Sequence, residues 1–105
     1  MLTGKQKRLL RSRGMTLRPL INLGKNGLSA TFVQGVADAL EARELVKISL
    51  LPAAEETPAE VGAYLSANIA GLDVAQTIGR TLLVYKQAEK KANRHLSEQV
   101  TALVK

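Results

Sequence analysis

The chain has 105 residues, of which 46% are hydrophobic and 23% charged, a composition typical of a single small globular domain. It contains no cysteine, which excludes disulfide scaffolds and thiolate metal sites, and no apolar run near the roughly 18–20 residues of a membrane helix. The net charge of +6 is one-sided, because residues 1–28 hold seven basic residues and no acid, and such a field attracts polyanions such as RNA, DNA or anionic membranes.

The first predicted element is a basic helix from Thr3 to about Ser12. Thr3 and Gln6 have the spacing of a capping box, and Gly14 predicts a stop. Arg13 would fall back on the apolar side, so we expect the helix to fray or end before it. At 100° per residue the apolar side chains share one side, and four cations fill most of the other: Lys5, Lys7, Arg8 and Arg11.

The next segment predicts a strand, a tight turn and a second helix. Residues 19–23 form a short apolar run led by proline, as in a buried strand. Ser29 caps a helix whose apolar residues recur at helical spacing, and residues 45–51 alternate in the manner of a strand. The turn between the first strand and this helix consists of Gly24, Lys25, Asn26 and Gly27.

The third helix begins at a second capping box, formed by Thr57 and Glu60, with Pro58 at the first helical position. Residues 72–78 and 81–86 then predict two more strands. A glycine at the first central position of the intervening dipeptide, Gly79-Arg80, suits a two-residue hairpin.

The predicted fold is α/β, with the order helix, strand, helix, strand, helix, strand, strand. Alternating helices and strands imply parallel pairing through right-handed crossovers, and the last two strands pair antiparallel in one mixed four-stranded sheet. We assign residues 1–86 to a single domain that folds without residues 87–105. That tail carries an apolar stripe at helical spacing, namely Leu96, Val100, Leu103 and Val104.

Nothing in the sequence predicts an enzyme, a cofactor, a metal site or a small-molecule substrate. The single histidine, His95, lies in a polar stretch with no nucleophile or paired carboxylate in a recognisable arrangement. The acids Glu55, Glu56 and Glu60 surround a helix start, where the helix dipole favours them without any metal. The glycine turn lacks the length and the Ser or Thr of a Walker P-loop.

The Gly24–Gly27 turn predicts a phosphate contact. Two glycines between a strand and a helix allow the backbone to approach a polyanion, as in the GxxG loop of KH domains, and Lys25 adds charge. A GxxG sequence alone also fits a plain tight turn, and a basic segment also fits a merely soluble surface. Arg18 belongs to the same acid-free segment. Arg80, at the hairpin tip, is either an exposed RNA contact or a solvated turn residue.

Seven segments, in order over about residues 2–86, match the pattern of one known family. They are Leu2-Thr3-Gly4-Lys5-Gln6-Lys7-Arg8, Leu10-Arg11, Leu17-Arg18-Pro19, Gly24-Lys25-Asn26-Gly27-Leu28, Ala39-Leu40-Glu41, Glu44-Leu45-Val46-Lys47 and Ile78-Gly79-Arg80-Thr81-Leu82-Leu83-Val84-Tyr85-Lys86. On these residues the chain resembles the CRM domain (chloroplast RNA splicing and ribosome maturation) in its single-domain, YhbY-type bacterial form. The resemblance implies a fold similar to the C-terminal domain of translation initiation factor three, RNA binding through the GxxG loop and basic surface, and association with precursors of the large ribosomal subunit.

Few aromatic residues are available for stacking on single strands, only Phe32, Tyr64 and Tyr85. Recognition of structured RNA by its phosphates and shape therefore fits this chain better.

Together with the resemblance, these features lead us to expect a cytoplasmic, monomeric, non-enzymatic protein that binds ribosomal RNA. No signal peptide is evident, because no apolar segment follows the first charges. Binding to an anionic membrane is not expected, because the basic helix is needed to close the core. Two alternatives remain: a module that docks on ribosomal proteins through the acidic third helix and the tail, and a non-specific DNA binder.

Overall fold

The structure is a computed structural model that describes residues 2–103. Four helices and four strands follow one another, with a short 3₁₀ turn at Lys91–Asn93 before the last helix. The predicted order of elements and the single mixed sheet are confirmed. The elements are α1 (Gly4–Gly14), β1 (Ile21–Leu23), α2 (Ala30–Arg43), β2 (Leu45–Leu50), α3 (Pro58–Asn68), β3 (Asp73–Ile78), β4 (Thr81–Tyr85) and α4 (Ser97–Ala102).

The sheet has the strand order β1-β2-β4-β3. β1 and β2 are parallel neighbours, whereas β4 runs antiparallel to both β2 and β3 and lies between them. The hairpin that joins β3 to β4 has Gly79 at φ +54°, as its two-residue loop requires. β1 is shorter than the predicted strand at its N-terminal end, where Pro19 has no N–H to donate to a ladder.

Both predicted capping boxes are present. In α1 the Thr3 hydroxyl accepts a hydrogen bond from the Gln6 amide at 3.1 Å, and the Gln6 side chain accepts one from the Thr3 amide at 2.8 Å. In α3 Thr57 and Glu60 form the same reciprocal pair. Each pair satisfies amides that a helix start would otherwise leave without acceptors, which fixes where these two helices begin.

The prediction that α1 ends before Arg13 is wrong, because the helix continues to Gly14. Gly14 is buried against β4, where an added Cβ would lie 2.6 Å from Leu83 Cδ2. This close approach holds the last helical turn on the sheet. Arg13 remains exposed, and its guanidinium donates a hydrogen bond to the Gln99 side chain at 2.6 Å.

Two hydrophobic clusters lie on opposite faces of the sheet. One joins α2 and α3 to the sheet and contains Val36, Leu40, Val61, Leu65 and, from the strands, Val46, Ile48, Leu82 and Val84. The other lies under α1 and the C-terminal segment and contains Leu10, Leu45, Ala75, Leu83, Tyr85, Leu96 and Val100. The fold therefore has three layers, with helices on both sides of the sheet.

The tail is part of this packing. Leu96 and Val100 are buried in the second cluster, and the Gln6 side chain donates to the Val100 carbonyl at 2.9 Å. Val104, the last residue of the predicted stripe, lies outside the described residues. The expectation that residues 1–86 fold without the tail rested on the extent of the resemblance alone, and the burial of the tail argues against it.

Two carboxylates on α2 and its C-cap bind the backbone of the tail. The fully buried Glu44 carboxylate accepts hydrogen bonds from the amides of Ala88, Leu96 and Ser97 at 2.8–2.9 Å. Its backbone has φ 66°, a left-handed conformation that usually favours glycine, which these bonds help to hold. Burial raises the pKa of the Glu44 carboxyl, but the hydrogen bonds from the tail outweigh it and the pKa is lowered overall.

The second of these carboxylates, Glu41, should make the stability of the protein depend on pH in the acid range. Hydrogen bonds from the amides of Glu89 and Lys90 and from the Asn93 side chain lower the pKa of Glu41 from 4.5 to about 2. Because the folded state has the lower pKa, the ionised carboxylate stabilises it fully above pH 4.5, and this contribution is lost as pH falls toward 2. We therefore expect Tm to fall over this interval, and to fall less steeply in Glu41→Gln. Parallel curves of Tm against pH for the two proteins would contradict this role of Glu41.

Candidate nucleic-acid interface

The GxxG loop is a tight turn at the carboxyl end of β1. The Gly27 amide donates to the Gly24 carbonyl at 3.1 Å, which closes the turn, and the Ser29 amide donates to the Gly27 carbonyl at 2.9 Å. Lys25 and Asn26 are exposed at its tip. Within residues 2–103 their amides have no backbone acceptor, so these two N–H groups are available to a bound anion.

Backbone conformation is the main reason for a glycine at position 27. Its φ of +68° lies in the left-handed region, which costs other residues energy. A Cβ at this position would also lie 3.0 Å from Glu56 Oε2, because the loop between β2 and α3 packs beside the turn. The same contact places a carboxylate near the candidate phosphate site, and its negative charge partly opposes that of Lys25.

The loop leads into the N-terminus of α2. The Ser29 hydroxyl accepts a hydrogen bond from the Phe32 amide at 3.1 Å, and the first turn contains no acid. The first amides of a helix have no acceptor within the helix, and the helix dipole favours an anion there. Loop and helix start together line a shallow depression of about 240 Å³. Its chemistry suits a phosphate group.

The cations of α1 lie on the opposite face of the sheet from α2. Gln6, Leu10 and Gly14 form the buried stripe of the helix, so the basic residues point into solvent, as predicted. Arg8 and Arg11 border a groove between α1 and the β3–β4 hairpin. The exposed cations of this helix and of the following connector are Lys5, Lys7, Arg8, Arg11, Arg13 and Arg18, of which Arg13 donates to Gln99.

Arg80 lies at the same end of the sheet as the GxxG loop, but its guanidinium is not free. It donates hydrogen bonds to the carbonyls of Leu50, Leu51 and Ala54 at 3.3, 2.9 and 3.2 Å. The Leu51 amide in turn donates to the Leu23 carbonyl at 2.9 Å, next to the GxxG loop. Arg80 thus holds the β2–α3 loop against the end of β1, and a contact of its side chain with RNA stays a prediction.

The predicted site residues therefore form two groups. One contains the GxxG loop and Arg80, at the carboxyl end of β1, and the other contains the α1 cations, while Arg18 lies exposed on the connector between α1 and β1. Three polar residues that sequence reasoning missed, Lys47, Gln76 and Thr81, line the groove beside α1. The only signal for Lys47 was its polar position in the alternating pattern of β2. Its Nζ donates to the carbonyls of Gly14 and Leu17 at 3.3 and 3.4 Å, and so ties the end of α1 to the sheet.

Among residues 2–103, no cluster of three or more histidine or acidic side chains is suitably placed to hold a metal ion. The longest helix over the same span, α2, has 14 residues, and none of the helices there is long and apolar enough to cross a bilayer.

Comparison with known protein families identifies the family of this fold. The model of the CRS1 / YhbY (CRM) domain matches residues 2–86, which run from α1 to the end of β4. The chain belongs to the CRM domain family. Every predicted site residue of this CRM domain lies within the matched span, whereas the packed tail lies beyond it.

Relatives of this CRM domain extend the match into the tail. A Bacillus subtilis protein named "Probable RNA-binding protein YqeI" is 43% identical over 91% of this chain and 97% of its own length. A Haemophilus influenzae protein named "RNA-binding protein" is 32% identical over 85% and 89% of the two chains. A "Probable RNA-binding protein" of Pseudomonas aeruginosa is also 32% identical, over 91% and 90%.

A solved structure has the same architecture. The hypothetical protein SAV1595 of Staphylococcus aureus, described as a candidate RNA-binding protein, matches with a TM-score of 0.65 at 29% sequence identity. The alignment covers 91% of this chain and 99% of that one. The three-layer fold is therefore shared over nearly the full length of both proteins.

Proposed function

We propose that this protein binds structured RNA through the GxxG loop and the cationic side of α1, and that it acts by binding and not by catalysis. The observation that carries the proposal is the acid-free segment 1–28, because its cations are exposed on α1, on the connector and in a loop with free amides. RNA offers the regularly spaced phosphates that such a surface attracts. Membership of the CRM family and the names of the relatives support the same class of ligand.

Within that class, we propose ribosomal RNA, in precursors of the large subunit, as the partner of a cytoplasmic monomer. This finer assignment rests on what the resemblance to the CRM family implies. The described residues present no large exposed aromatic platform, since Tyr64 is only 40% exposed and Tyr85 is buried. Folded RNA, recognised by phosphate position and shape, suits such a surface better than an extended single strand.

Docking on ribosomal proteins through the third helix and the tail is less well supported. Leu96 and Val100 of the tail stripe are buried in this protein's own core, and Glu60 of α3 is occupied in a capping box. DNA binding by the same cations remains the alternative that only experiment separates. The sequence carries no recognition-helix signature, so DNA binding would be non-specific.

Salt dependence tests the electrostatic basis of the proposal. Contacts that neutralise about four to six phosphates predict a slope of roughly −3 to −5 in a plot of log affinity against log salt. The measurement is a titration of labelled ribosomal RNA with the protein at several salt concentrations. A flat dependence would contradict phosphate-driven binding. Unlabelled DNA duplex and ribosomal proteins, added as competitors, distinguish the alternatives, since we expect unlabelled RNA to displace the probe far more effectively than either.

A further inference from the structure

The groove between α1 and the β3–β4 hairpin is a second candidate site on this surface. It has a volume of about 560 Å³, within the roughly 300–1,000 Å³ of small-ligand pockets. The groove exists because α1 ends at Gly14, which packs on Leu83, so the strand residues nearer the hairpin tip have no helix over them. Cross-strand partners share a sheet face, and the row of Leu45 and Tyr85 is buried under α1 and α4. The row of Ser49, Thr81 and Ile78 is not covered.

The groove combines an apolar lining with cations at its border. Leu83 forms the buried floor, while Met15 and Ile78, at 83% and 61%, are the two most exposed large apolar side chains among the described residues. Arg8 and Arg11, three residues apart on one side of α1, border the same space. None of the lining residues is acidic. A purely apolar partner would leave these cations unused, whereas a ligand with both a flat apolar part and an anionic part would use both.

Polar groups are also present on the strands. The Gln76 side-chain amide can donate and accept hydrogen bonds, and the Thr81 hydroxyl can do the same. They lie on the sheet side of the groove, opposite the arginines of α1. Hydrogen-bonding groups therefore lie on one side of the groove and positive charge on the other. A nucleotide has the matching pair of features, a base with a hydrogen-bonding edge and a phosphate.

We propose that this groove binds one unpaired RNA nucleotide, such as a bulged residue in an otherwise paired stem. Its base lies on Met15, Ile78 and Leu83, and its phosphate meets Arg8 and Arg11. The inference rests on the proposed RNA binding and adds a preference to it. Phosphate contacts alone carry no such preference, because they position the RNA without reading its bases.

The test compares two RNA stem-loops that are identical except that one has a single bulged nucleotide. We expect the wild-type protein to bind the bulged RNA about tenfold more tightly, a difference of about 1.4 kcal/mol. The double variant Met15→Ser/Ile78→Ser should lose this preference and bind both RNAs with the affinity that the wild type has for the paired stem. Both side chains are largely exposed, so we expect the variant to fold, and its thermal melting checks this.

Three further variants test whether the preference for the bulged RNA comes from the groove. Tyr64→Ser removes a partly exposed apolar side chain from α3, on the other face of the sheet, and should keep the preference. Arg8→Gln/Arg11→Gln should weaken binding of both RNAs while leaving most of the preference. Gln76→Ala should reduce the preference by a few-fold, and it gives a second readout if the serine variant melts early.

Equal affinity of the wild type for the two RNAs would overturn the groove assignment and leave the proposed function intact. A preference that survives in both the serine variant and Gln76→Ala would overturn it as well. If the wild type binds neither RNA, the proposed function fails, and the groove assignment fails with it.

Discussion

The double variant Lys25→Asp/Asn26→Asp is expected to bind RNA at least about tenfold more weakly than the wild type, with Tm almost unchanged. A phosphate held by the free amides of the GxxG loop would meet two new negative charges at contact distance and lose the Lys25 charge. A lost hydrogen bond to a charged group costs about 1.5–3 kcal/mol, and each 1.4 kcal/mol is a factor of ten in affinity. Both side chains are exposed and make no cap, so stability should change by only about 0.5 kcal/mol.

A charge-matched control separates contact from general repulsion. Lys91→Asp/Ala92→Asp makes the same change of net charge at two exposed neighbours in the 3₁₀ turn of the tail. We expect this control to weaken binding much less. Gly27→Val should lower Tm as well as affinity, because position 27 has a positive φ and Glu56 stands beside it. Equal loss in the two charge variants, or intact affinity in the loop variant, would remove the loop from the binding site and leave α1 as the candidate.

Removal of residues 88–105 is expected to destabilise the domain severely. The deletion strips Leu96 and Val100 from the second cluster, and each such side chain contributes roughly 1.5–3 kcal/mol when buried. It also removes the three amides that bind the Glu44 carboxylate, and water then has to replace these hydrogen bonds. A loss of about 4 kcal/mol or more would lower Tm by about 15 °C or more, which calorimetry or circular dichroism would measure.

Point variants keep this prediction testable if the shortened chain does not fold. Leu96→Ala/Val100→Ala should lower Tm substantially, because the cavities remain in a packed core. The matched control Glu98→Ala, on the exposed side of α4, should change it little. If the shortened chain melts at the wild-type temperature, residues 1–87 form an independent domain and the tail contributes little to its stability.

The part of the site that could be predicted from sequence is local in origin. The capping boxes at Thr3 and Thr57 and the glycine turn each depend on interactions within a few residues. Their local sequences are therefore enough to predict their structures. The exposure of the α1 cations follows from helical periodicity, because burying Leu10 turns Arg8 and Arg11 outward.

The fate of Arg80 could not be predicted in this way. Position 80 in a hairpin suggested a solvated side chain, yet three carbonyls from a segment about 30 residues away accept its hydrogen bonds. The packing of the tail could not be predicted for the same reason, since Glu41 and Glu44 bind amides more than 40 residues further along the chain. A pattern confined to one segment carries no information about which distant backbone groups need a partner.

By itself, then, the sequence determined the order of elements, the GxxG turn and the concentration of positive charge in residues 1–28, because each depends on neighbours in the chain. It also indicated a mixed sheet, through the alternation of helices and strands, but not the order of the strands in it. Only the tertiary structure decided that α1 stops against Leu83 and leaves a groove beside the hairpin, and that the tail completes the second core cluster. Both depend on how the helices pack on the sheet, where a single close approach at Gly14 sets which strand residues stay uncovered.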